Sequence, residues 1–116
     1  MSSEAKVQDD IRLALGQRPD FIAWRNNVGV AKHWNEKTQR EDIVKYGLCA
    51  GSSDIIGIAR GGRFVALEVK SETGRVTKEQ ATFIALVRHM GGVGEVVRSV
   101  EEARAAVDRA VKGGDL

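Results

Sequence analysis

Three features of this 116-residue chain predict an α/β domain built on a mixed central sheet flanked by helices. The first is the order of periodic segments, α-β-(loop)-β-β-α-β-α, which mixes hairpin and crossover connections. The second is a pair of runs, Ile55–Ile58 and Phe64–Val69, apolar at nearly every position. Such strands are usually covered on both faces. The third is a pair of capping-box patterns, Thr77 with Gln80 and Ser99 with Glu102, each opening a helix. One domain over 1–116 is the simplest division, and it is large enough to bury a modest core.

From Ser3 to Leu15 the apolar residues Val7, Ile11, Ala14 and Leu15 follow helical spacing, with Gly16 as a C-terminal cap. Glu4 and Gln8 share a row with Ile11 and Leu15, which puts them at the N-terminal end of the buried face. Glu4 also suits the first turn as an ordinary acid favoured by the helix dipole. Phe21–Ala31 reads as a strand bending at Asn26-Asn27 or Gly29, with Trp24 in the core. Lys32–Ser53 is polar and rich in turn residues, and no element is assigned there. After the Ile55–Val69 hairpin, a link at Ser71–Arg75 leads to a helix from Lys78 to about Met90. Its buried stripe is Gln80, Phe83, Ile84 and Val87. Val93–Arg98 is a strand, and Val100, Ala103, Val107 and Ala110 stripe the last helix.

Composition narrows the class. Hydrophobic residues make up 42% and charged residues 29%, as expected of a globular rather than a disordered chain. A net charge of +2 is too small to imply polyanion binding by itself. The lone Cys49 forms neither an intramolecular disulfide nor a cysteine-rich zinc site. With no apolar run of membrane-spanning length and no signal-peptide core in MSSEAKVQDD, a cytoplasmic location is expected (the host cytoplasm if the chain is viral).

The hairpin carries the chemistry. With Arg60-Gly61-Gly62 as a three-residue loop, Ala59 faces Arg63 and Asp54 falls opposite Glu68. A two-residue Gly61-Gly62 loop would instead set Asp54 opposite Val69, and a bulge at a glycine would restore the first register. In the first register the two acids have Cβ atoms roughly 4.5–5.5 Å apart, and like charges so placed are destabilising unless relieved. Lys70 lies two residues beyond Glu68, on the same face. A divalent cation would relieve the repulsion and create a hydrolytic site, and Mg²⁺ or Mn²⁺ suits such hard oxygen ligands. Asp54 and Glu68 are the candidate ligands, with the Val69 carbonyl as a third. Lys70 would hold or activate the attacking water, Gln80 would orient water or phosphate, and Glu4 would add a direct or outer metal contact. Each has a plainer reading: Asp54 ends a turn, Glu68 and Lys70 form an edge-strand ion pair, and Gln80 only completes a capping box.

GSSDIIGI at Gly51–Ile58, ALEVKSETGRVTKEQ at Ala66–Gln80, GGVGEVVRSVEEA at Gly91–Ala103 and RNNVG at Arg25–Gly29 together resemble the PD-(D/E)XK nuclease superfamily. More narrowly they are similar to its virus-type replication-repair (VRR-NUC) domains, over nearly the whole chain. The resemblance implies a restriction-endonuclease-like fold and a metal-dependent DNA endonuclease of the replication-repair kind. It implies acidic ligands at Asp54 and Glu68, a catalytic lysine at Lys70, the motif glutamine at Gln80 and the first-helix glutamate at Glu4. Ser53 stands where the superfamily has its nominal proline. Stand-alone members look like homodimers that resolve four-way (Holliday) junctions, for which a twofold pair of sites is suited. The alternatives are a general duplex-nicking endonuclease and a catalytically silent nucleic-acid-binding module.

Basic residues, Arg60 and Arg63 among them, gather near the hairpin and in the unassigned stretch, which suits phosphate contacts. Arg25, Arg75 and Lys78 are the candidate DNA contacts; the last two flank a helix start beside Lys70, where phosphate is attracted. Trp34 is the better of the two tryptophans for stacking on bases at a junction.

Overall fold

The computed structural model describes residues 3–113. Three helices and six strands follow in the order α1 (Glu4–Gly16), β1 (Phe21–Arg25), β2 (Gly29–Asn35), β3 (Arg40–Tyr46), β4 (Ile55–Ala59), β5 (Phe64–Val69), α2 (Lys78–His89), β6 (Val93–Val97) and α3 (Val100–Gly113). Four strands form the central sheet in the order β1-β4-β5-β6. β5 pairs antiparallel with β4 and parallel with β6, so the sheet is mixed, as its sequence pattern predicts.

One face of the sheet is the main core. Ile11 and Leu15 of α1 and Ala103, Ala106, Val107 and Ala110 of α3 pack with Phe21, Ile55, Ala59, Val65, Leu67, Val69 and Val97. The small residues of α3 let that helix lie close to the strands. α2 covers the other face over β5 and β6, where a Cβ at Gly94 would come within 3.0–3.4 Å of Ile84 and Val87. Only β5 is buried along nearly its whole length, from Val65 to Val69. β4 is not covered on both faces as its composition suggests: Ile58 is 46% exposed, because α2 does not extend over the β1–β4 half of the sheet. Trp24 on the neighbouring edge strand is likewise 52% exposed rather than core.

Helix ends follow local chemistry, with one exception. Ser3 caps α1 by accepting from the Lys6 N–H at 3.2 Å. Gly16 is the last residue of α1 rather than its cap, and Gln17 takes that position in an ordinary right-handed conformation. At α3 the Ser99 hydroxyl accepts from the Glu102 N–H at 3.1 Å, while the Glu102 carboxylate reaches one residue further back, to the Arg98 N–H at 2.6 Å.

The stretch Phe21–Ala31 is two strands, not one bent strand. After Arg25 the chain leaves the main sheet, and β2 pairs with β3 in a separate two-stranded arm spanning Gly29–Tyr46. Its turn is closed by Asn35, whose Oδ1 accepts from the Lys37 and Thr38 N–H groups, and by Gln39 in the left-handed region at φ +56°. Val30, Trp34, Ile43 and Val44 on this arm are all about half exposed or more.

Candidate active site

The β4–β5 turn decides the register. Gly61 and Gly62 adopt φ of +100° and +91°, which L side chains rarely take. The Gly62 N–H donates to Ala59 O at 2.9 Å, and the Ala59 N–H donates to Arg63 O at 3.0 Å. This is the three-residue loop, and the ladder runs Ile58↔Phe64 through Ile55↔Leu67. One further step puts Asp54 opposite Glu68. Arg60 and Arg63 lie at the turn end, away from the carboxylates, and Arg63 donates to Gly113 O at 3.1 Å instead.

Four of the sequence-derived candidates converge at the other end of the hairpin. Asp54 Oδ2 accepts from the Val69 main-chain N–H at 2.9 Å. Glu68 is 1% exposed; its Oε1 accepts from Gln80 Nε2 at 3.0 Å and lies 3.9 Å from Lys70 Nζ. Glu68 Oε2 is buried without a hydrogen-bond partner. Burial, followed by the close approach and negative charge of Asp54, pushes the Glu68 carboxyl from its ordinary 4.5 up to about 8. Lys70 opposes that rise, and Glu4 adds a smaller upward push. Glu4 itself is exposed at the start of α1, so its charge reaches the site from outside.

Gln80 serves two purposes at once. Its Oε1 accepts from the Thr77 N–H at 2.9 Å, completing the capping box, while its Nε2 holds Glu68. The capping role and the site role are therefore not alternatives. Nor is the Glu68–Lys70 pair an edge device, since β5 is a central strand with Lys70 only 8% exposed.

A polar cleft of about 440 Å³ opens beside Asp54. Arg25, Asn26, Tyr46, Ser52 and Gln80 line it with Asp54, so the end of β1, the base of the arm and the start of α2 form its walls. Gly51, at φ +81°, allows the loop before Asp54 to pass against α2; a Cβ there would lie 2.7 Å from the Glu79 main chain. Lys78 lines a separate groove with Cys49, Phe83 and Leu86. Arg75 is exposed on the link before α2. Residue-by-residue reading missed Asn26 and Tyr46. The only signal for them was their place in RNNVG and at the end of an unassigned polar stretch.

A small hard cation fits these residues. Two carboxylates, Asp54 immediately before β4 and Glu68 on β5, face each other, one with an orphaned buried oxygen, and an unpaired buried oxygen of this kind is costly. Among the described residues no group of three or more His, Cys, Asp or Glu side chains is arranged to hold a metal. A cation here would thus take its other ligands from main chain, water or substrate, as Mg²⁺ commonly does. Also among the described residues, no helix is long and apolar enough to cross a membrane.

Residues 30–101 match the VRR-NUC domain family. That stretch contains Asp54, Glu68, Lys70, Arg75, Lys78 and Gln80, whereas Glu4 and Arg25 precede it. No curated protein matches the chain.

Proposed function

The chain belongs to the VRR-NUC family of nucleases, and from that premise we propose that it is a Mg²⁺- or Mn²⁺-dependent DNA endonuclease selective for branched DNA, acting as a homodimer. The observation that carries the active-site assignment is the opposition of Asp54 and Glu68, with the orphaned Glu68 oxygen at the cleft end of the hairpin. A module that only bound nucleic acid would gain nothing from buried carboxylates, which repel phosphate.

Asp54 and Glu68 would hold the cation, with the Val69 carbonyl as a third protein ligand. When bound, such a cation lowers the pKa of water and stabilises the leaving oxygen in phosphodiester hydrolysis. The Val69 N–H fixes the direction of the Asp54 carboxylate before substrate arrives. Lys70 Nζ, held beside Glu68, orients the attacking water and offsets negative charge accumulating on the phosphate. Gln80 keeps Glu68 in place and fixes the start of α2 as one wall of the cleft. Arg25 on the cleft wall, Arg75 before α2 and Lys78 at its first turn contact DNA phosphates, positioning the duplex without reading its sequence.

Branch selectivity and the homodimer rest on the resemblance to VRR-NUC domains. The deciding experiment incubates the protein with a labelled four-way junction, a matched duplex and a supercoiled plasmid, with Mg²⁺, Mn²⁺ or chelator. Paired symmetrical cuts in the junction are expected. They should be absent with chelator, and absent in Asp54→Asn and Lys70→Ala variants that keep their fold and junction affinity. Equal nicking of all three substrates would make the protein a general nicking enzyme; binding without cutting in any metal would make it a silent module. A monomer mass that does not change with concentration would remove the dimer.

A further inference from the structure

Asp54 has no regular structure on its N-terminal side: the preceding loop, 47–53, is neither helix nor strand. The Val69 N–H holds one oxygen of its carboxylate, but the main chain that carries that side chain must itself be fixed. Just after β1, Asn26 reaches across to that loop with its side chain. It is buried, at 9% exposure. Its Oδ1 accepts from the Leu48 N–H at 3.2 Å, and its Nδ2 donates to Ser52 Oγ at 2.7 Å and to Ser53 O at 2.9 Å. Its own main-chain N–H donates to Asp54 O at 2.7 Å. One residue thus holds both consecutive carbonyls, Ser53 O and Asp54 O, that bracket the Asp54 Cα. Ser52 Oγ passes the constraint on, donating to Cys49 O at 2.7 Å.

Every polar atom of the Asn26 side chain is engaged with a segment more than 20 residues away, a use in keeping with the high cost of burying an amide. None of these bonds touches Glu68, Lys70 or Gln80. From this geometry we infer that Asn26 is a positioning residue for Asp54, setting the angle at which that carboxylate faces Glu68. It acts where the superfamily's nominal proline would shape the turn and where this chain has Ser53. The inference deepens the proposed function and rests on the assignment of Asp54 as a metal ligand.

The test is Mn²⁺ affinity measured by electron paramagnetic resonance, alongside kcat and KM on the cleaved DNA and amide spectra as a check on folding. Removing partners that orient a ligand typically costs 10–100-fold in metal affinity or activity. Asn26→Ala is expected to lose Mn²⁺ affinity and kcat on about that scale, with KM for DNA little changed. Asn26→Asp retains an acceptor for Leu48 but has no N–H for Ser53 O, and it is the second variant should Asn26→Ala fail to fold. Its added negative charge would by itself favour a cation, so weaker Mn²⁺ binding in Asn26→Asp would report lost positioning. Equal or tighter binding in that variant, or wild-type Mn²⁺ affinity and kcat in Asn26→Ala, would overturn the inference while leaving the nuclease reading intact. A wild-type protein that binds no Mn²⁺ would overturn both.

Discussion

Replacing Glu68 with glutamine tests the electrostatics of the site apart from any cutting of DNA. In the metal-free protein the Glu68 carboxyl is raised from 4.5 to about 8, first by burial and then by Asp54. A carboxyl that titrates higher in the folded than in the unfolded chain binds more protons when folded. Its contribution to stability is complete below about 4.5 and is lost as pH rises to about 8. At about 1.4 kcal/mol per pH unit, the full window corresponds to roughly 5 kcal/mol, an upper bound because Asp54 shares the proton. Glutamine resembles the protonated carboxyl: its oxygen can accept from Gln80 Nε2, and its amide can donate towards Asp54. Urea unfolding in chelator at pH 5, 6, 7, 8 and 9 should show wild type losing several kcal/mol relative to Glu68→Gln across this window. Saturating Mn²⁺ should restore wild type at pH 8 and leave the variant almost unmoved, since a ligand stabilises only the state that binds it. Parallel pH profiles for the two proteins would refute the reasoning. They would mean that Glu68 is solvated or that its charge is already balanced by Lys70.

Gln80→Ala should cost about 1 kcal/mol of stability through the lost half of the capping box, measurable by urea unfolding. It should lower cleavage further, since Glu68 Oε1 loses its 3.0 Å donor; unchanged cleavage would confine Gln80 to the helix end. Arg75→Ala should weaken DNA binding irrespective of sequence and shallow the slope of log K against log salt by about 0.9, the loss of one phosphate contact. An unchanged slope would remove Arg75 from the interface.

The parts of the fold that the sequence disclosed are those where local chemistry and burial agree. Gly61-Gly62 between two apolar runs marked the β4–β5 hairpin, and Thr77/Gln80 and Ser99/Glu102 marked the starts of α2 and α3. The β2–β3 arm was illegible for the opposite reason. Val30, Lys32 and Trp34 of β2 share one face with Glu41, Ile43 and Lys45 of β3, so neither period nor polarity separates an inside from an outside. Its turn, Glu36–Gln39, has no glycine to announce it, and Gln39 takes the left-handed position instead. Trp24 was misread because an apolar strand implies a cover, and the β1–β4 half of this face has none. At the site, period-2 counting was enough to bring Asp54, Glu68 and Lys70 together once the loop length was known. Asn26 gave no such signal: its partners lie 22–27 residues away, in a loop with no periodicity to read.

The double engagement of Gln80 ties the opening of a helix to the state of a carboxylate. A single amide group spans the Thr77 N–H and Glu68, so whatever draws Glu68 away also pulls on the first turn of α2. Under the proposed function, cation loading would be written into main-chain protection. Exchange of the Thr77 and Gln80 amide protons with solvent would then be a local gauge of the occupancy of the proposed centre two side chains away. It can be read without substrate, and in variants that no longer cut.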